Sequence, residues 1–125
     1  MTEVLEWICE QLELEGIEPV IGALPVEGKV AIAISSGTRE NFLARTGVIN
    51  LSLVVNSKSK SQKEALDLLS EAHDILTRKN GSTRRYQIAD IRVQNVPSYL
   101  GQENDESYLY GSSLTIALYD KRGKL

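Results

Sequence analysis

The strongest constraint on this chain is a pair of alternating runs, KVAIAIS at Lys29–Ser35 and VINLSLVV at Val48–Val55. Nothing between them is long enough to hold a helical crossover. In the first run Val30, Ile32 and Ile34 point one way and Ala31, Ala33 and Ser35 the other; in the second, Ile49, Leu51, Leu53 and Val55 oppose Asn50 and Ser52. A period of two dictates strands, and their closeness dictates an antiparallel hairpin. That hairpin has a bulky face that needs a cover and a thin face that does not.

Between the runs lies SGTRENFLARTG, Ser36 to Gly47, which holds the only phenylalanine of the chain. Hairpin connections are commonly 2–5 residues, so one of about eleven costs closure entropy and implies that its tip has work to do. Phe42 and Leu43 have two possible places. They fold back over the open end of the core, or they project, flanked by Arg39, Glu40 and Arg45, and dock on another protein.

The cover for the bulky face is readable on either side of the hairpin. From Thr2 to Glu15, Val4, Leu5, Ile8, Cys9 and Leu12 form one helical stripe, and Gly16 is the expected stop. Trp7 and Leu14 miss that stripe and share a flank, where they pack beneath the returning segment 17–24 or touch a second subunit. A second helix opens with a capping box at Ser61 and Glu64, shows Ala65, Leu68, Leu69, Ala72, Ile75 and Leu76 on one face, and is expected to end at Asn80-Gly81. A third strand is expected from about Tyr86 to Val96, ended by Pro97, and a fourth from about Ser107 to Tyr119.

The expected fold is therefore α+β, ordered helix, strand, strand, helix, strand, strand. Its mainly antiparallel or mixed four-stranded sheet carries both helices on one face. At 125 residues the chain is the size of one domain, spanning 1–125. No apolar run approaches the roughly 20 residues of a membrane helix, and the acidic start has the wrong sign for a secretory signal. A single cysteine fits a reducing compartment, and a net charge of −3 gives no general attraction to nucleic acid or to anionic membrane.

Catalytic chemistry finds few residues. His73 is the only histidine and is expected as a solvated residue at a helix edge, and Cys9 as a core thiol. Together they supply too few soft ligands for zinc, no glycine-rich phosphate loop is present, and no cofactor is implied. Two charged segments remain. GQENDES, Gly101 to Ser107, reads as a solvated hairpin tip without the ligand spacing of a calcium loop, and SKSKSQK places Lys58, Lys60 and Lys63 before the second helix as a solvated linker or a phosphate contact.

The stretches ALPVEGKVAIAISSG, GVINLSLVVNSKSKSQKEALDLLSEAHDIL and VPSYLGQENDESYLYGSSLTIALYD resemble, in pattern and order from about Leu5 to Tyr119, the small minor capsid or tail terminator proteins of long-tailed bacteriophages. The resemblance implies a structural virion protein without catalytic activity, at the head-proximal end of the tail after assembly in the host cytoplasm. It implies partners too: other copies in a typically hexameric ring, the tail tube protein, the head-tail connector, and DNA passing through the ring, with no membrane contact. The family carries no fixed interface motif, so interface candidates rest on local physics: Trp7, Leu14, Arg39, Phe42, Leu43, Arg45, Tyr99 and Leu100, with Lys58, Lys60 and Lys63 as candidates to face DNA. The alternative class is a small ligand-binding or regulatory α+β domain, which should show one deep apolar pocket. A nucleic-acid module is disfavoured by the acidic balance.

Overall fold

The computed structural model describes residues 2–22, 25–41 and 47–121. Two helices, α1 (Thr2–Leu14) and α2 (Gln62–Leu76), lie with six strands: β1 (Pro19–Ile21), β2 (Val30–Asn41), β3 (Gly47–Ser59), β4 (Gly81–Ser82), β5 (Tyr86–Gln102) and β6 (Tyr108–Asp120). The strands form one sheet in the order β1-β2-β3-β6-β5-β4. β1 runs parallel to β2 and every other neighbouring pair is antiparallel, so the sheet is mixed. The expected α+β class and the four long strands are present. The four-stranded sheet is corrected to six by β1 and β4, whose two or three residues are too few to show a period.

Both helices cover the face that the alternation marked as bulky. Val30, Ile32, Leu53 and Val55 meet Leu114, Ile116 and Leu118 there, beneath Val4, Ile8 and Leu12 of α1 and Leu69, Ala72 and Leu76 of α2. Each large side chain buried in this layer contributes about 1.5–3 kcal/mol. The opposite side of α2, with Asp67, Ser70, Glu71 and Asp74, is exposed.

Helix ends follow local chemistry. α1 closes in a Schellman turn: Gly16, at φ 83°, donates its N–H to Glu13, and Ile17 donates back to Leu12. Ile17 and Leu12 are both buried, which fixes where the chain leaves the helix. At α2 the capping box forms by half. Ser61 Oγ accepts from the Glu64 N–H at 3.3 Å, but the Glu64 carboxylate accepts from Ser59 Oγ, and the Ser61 N–H is taken by that same hydroxyl. The helix stops at Leu76, short of the expected Asn80-Gly81: Thr77 makes the last helical bond, its N–H and hydroxyl both donating to His73 O, and Lys79 N–H then turns back to Leu76 O, three residues earlier. Gly81 serves β4 instead.

Two strand limits are also corrected. β2 runs to Asn41, which stands opposite Gly47, so the polar residues from Ser36 to Asn41 are ladder and not part of a connection of about eleven residues. Hydrophobic alternation misses this part because an outer strand's pairing is made by backbone. Phe42, Leu43 and Arg45 lie outside the described residues. β5 continues past Pro97 to Gln102, the proline falling within the register shift between Asn95 and Ser98 on an outer strand, where its missing N–H breaks no ladder bond.

Candidate interaction surface

Alternation along β2, β3 and β6 gives the face without helices its chemistry: Ala31, Ala33 and Ser35, then Asn50, Ser52, Val54 and Asn56, then Ser113, Thr115 and Ala117, of which Ala31 and Ser113 are buried. β5 breaks register with β6 four times, after Ile88, Val93, Asn95 and Tyr99, and bulges of this kind bend a strand. The segment from Gln94 to Leu100 thereby walls an open cleft of about 530 Å³, floored by Ser52, Val54 and Asn56. Gln94 accepts from Ser52 Oγ, and Asn95 Nδ2 donates to Ser113 Oγ at 2.8 Å. Leu100 reaches over Gly111, where a Cβ would stand 2.6 Å from Leu100 Cδ1. Glycine at 111 makes room for that side chain.

Large exposed apolar groups gather on the same strand. Val93, Val96, Tyr99 and Leu100 are each exposed, Val96 by 67%. Tyr99 sits edge-on to Tyr110 with ring centroids 5.7 Å apart and tilts against Tyr108 at 6.5 Å, leaving half its surface to solvent. The candidates Tyr99 and Leu100 are thus neighbours on one exposed strand end. Trp7 and Leu14 part company. Trp7 is half-buried with its indole against Gly81, where a Cβ would stand 3.1 Å from Cζ2, whereas Leu14 is 74% exposed beside Glu10 and Glu13. Gly81 was not readable in advance as the partner of Trp7, since the contact depends on β4. Arg39 pairs with Ile49 in the ladder between β2 and β3.

The two charged segments are one unit. Lys58 Nζ lies 3.2 Å from Glu103 and 3.3 Å from Asp105, and its ammonium is held charged by those carboxylates, Glu103 first. Asp105 accepts from the Ser107 N–H, which lowers its pKa, and Ser107 Oγ donates to Glu27. Glu27 also accepts the Lys60 N–H, so both segments meet on one carboxylate. Lys63 pairs with Asp67 one helical turn on.

His73 departs from its expected solvated place. It is buried under the sheet, with Nε2 2.7 Å from Ser112 Oγ, and Ser112 gives its own proton to Val55 O. Nε2 is therefore the donor, which fixes the neutral tautomer, and burial pushes the imidazole pKa down against a smaller opposing effect of Asp74. Cys9 is half-buried, its thiol pKa raised by desolvation and then by Glu13, Glu6 and Glu10. A thiol so placed is a poor nucleophile. Among the described residues no group of three or more His, Cys, Asp or Glu side chains is placed to hold a metal, and no helix is long and apolar enough to cross a membrane.

A sheet covered on one face, bare on the other and apolar along one outer strand has the make-up of a protein that works by contact. The family model described as bacteriophage tail terminator protein matches residues 9–120, and the chain belongs to that family. The family is structural and non-catalytic, so the chain is a structural protein of the phage tail that meets other tail or head proteins. A search of curated proteins found no match.

Proposed function

We propose that this chain acts as one unit over residues 1–125 and caps the phage tail tube as a ring of identical copies, six in the arrangement that the resemblance implies. The ring stops further addition of tube subunits, offers its other side to the head-tail connector, and passes DNA through its centre. The family match over residues 9–120 carries this reading. The bare sheet face and the exposed apolar end of β5 support it, because a ring subunit needs different contact surfaces on its two sides. Arg39, Tyr99, Leu100 and Leu14 are the candidate contacts within the described residues, Trp7 is a candidate only along its exposed edge, and Phe42, Leu43 and Arg45 stand as sequence-based candidates. Lys60 is the best placed of the three lysines to meet phosphate, since Lys58 and Lys63 are ion-paired.

The test is microscopy of tails assembled with and without the chain. Tubes of regulated length bearing a ring at one end are expected with it, and overlong tubes without it. A tight two-fold dimer under all conditions, with tube length indifferent to the chain, would overturn the reading.

A further inference from the structure

We propose that successive copies join sheet edge to sheet edge, Asp90–Val93 of one copy pairing antiparallel with Ile34–Thr38 of the next. The inference rests on the ring reading above and names the surface that would build the ring.

Among the described residues both ends of the sheet are left largely unpaired. β1 partners β2 only at Val30, Ala31 and Ile32, and β4 partners β5 only at Gln87 and Ile88. Unpaired backbone on an outer strand is a template for another strand. Following the ladders across the sheet, Asp90 stands level with Ala117, Asn50 and Thr38, while Val93 stands level with Leu114, Leu53 and Ile34. The open length of one edge therefore lies at the same height as the open length of the other, β1 sitting below it on one side and β4 above it on the other.

Direction agrees as well. The run of antiparallel neighbours from β2 through β3 and β6 to β5 leaves β2 and β5 pointing oppositely. A second copy set alongside in the same orientation thus brings its β2 antiparallel to the first copy's β5. The contact uses different surfaces on the two copies and repeats, which closes a ring when the rotation between copies closes. This is why the occupant is a second copy: the chain carries both halves of the contact, matched in height and direction.

Register shifts set the limit. β5 breaks step with β6 after Val93, and β2 breaks step with β3 after Ile34, at neighbouring heights. Bulges at an edge guard against indiscriminate pairing, so here they confine the match to a short stretch. Just past that stretch, Val96, Tyr99 and Leu100 supply apolar surface that a neighbour would cover.

The test is amide hydrogen exchange on the full chain, dilute and in rings formed at high concentration or on tail tubes. Exchange is expected to slow at least tenfold on ring formation in peptides covering 34–38 and 90–93, and to stay unchanged along 2–14. Rings in which both stretches exchange as in the dilute chain would overturn edge pairing and leave the ring reading standing. A chain that forms no ring would overturn both. Thr38→Cys with Asp90→Cys in a Cys9→Ser background should give a ladder of oxidised multimers that neither single cysteine gives; assembled rings without the ladder would overturn the level register.

Discussion

The two faces of the sheet are built from the same strands and differ in what their serines do. Under the helices, Ser57 donates to Ala65 O and Ser112 joins His73 to Val55 O, so these buried polar side chains are engaged within the fold. On the other face Ser52, only partly buried, bonds Gln94, a side chain of one outer strand that a partner could rearrange, whereas Ser113 is buried and accepts from Asn95. Serines are structural where they are buried and adaptable where they are not, as at Ser52, because burial fixes the penalty for losing a bond. Stability and contact are thus assigned to opposite faces, a division that substitutions can break.

The largest effect is expected in the covered layer. Leu69→Ala or Ile116→Ala removes a fully buried side chain and should lower unfolding free energy by about 2–5 kcal/mol in denaturant titration. Ser112→Ala comes next, at about 1–3 kcal/mol, since it strands the buried His73 donor and the Val55 carbonyl.

The same histidine gives the covered face a pH dependence. Its pKa is lowered on folding from the ordinary 6.5, so the unfolded chain takes up the proton first. Stability should be full above about pH 6.5 and fall as the pH drops below it, levelling once the folded state also protonates. Thermal melts of His73→Gln should lack this decline in that window.

How much of this division the sequence disclosed depends on which force set each part. The covered layer was legible because burial imposes a period on side chains, as in Val30, Ile32, Leu53 and Val55. β1, β4 and the outer half of β2 were not, since backbone pairing with a neighbouring strand leaves no mark on side-chain order. His73 was misplaced for a related reason: its ring is buried through Ser112, a residue 39 positions on, and the spacing of α2 alone does not show that partner. Among the contact candidates, Tyr99 and Leu100 lie exposed on β5, while Trp7 and Leu14 share a helical flank but not an environment.

On the bare side the expected stability effects are small and the assembly effects large. Val96→Asp should shift unfolding free energy by no more than about 0.5 kcal/mol, yet impair ring formation seen by light scattering. A substantial loss of stability would assign that residue to the fold. Smallest of all is Lys58→Ser, which should leave the unfolding midpoint where it is while amides of 103–107 exchange faster.

That lysine also bears on how the sheet carries load. Lys58 stands near the end of β3, and the carboxylates it holds belong to the turn joining β5 to β6, which Ser107 and Glu27 fasten further to the segment leading into β2. A pull on the turn is therefore shared with β3 and the approach to β2, loading those strands in shear where a loose hairpin would peel open one bond at a time.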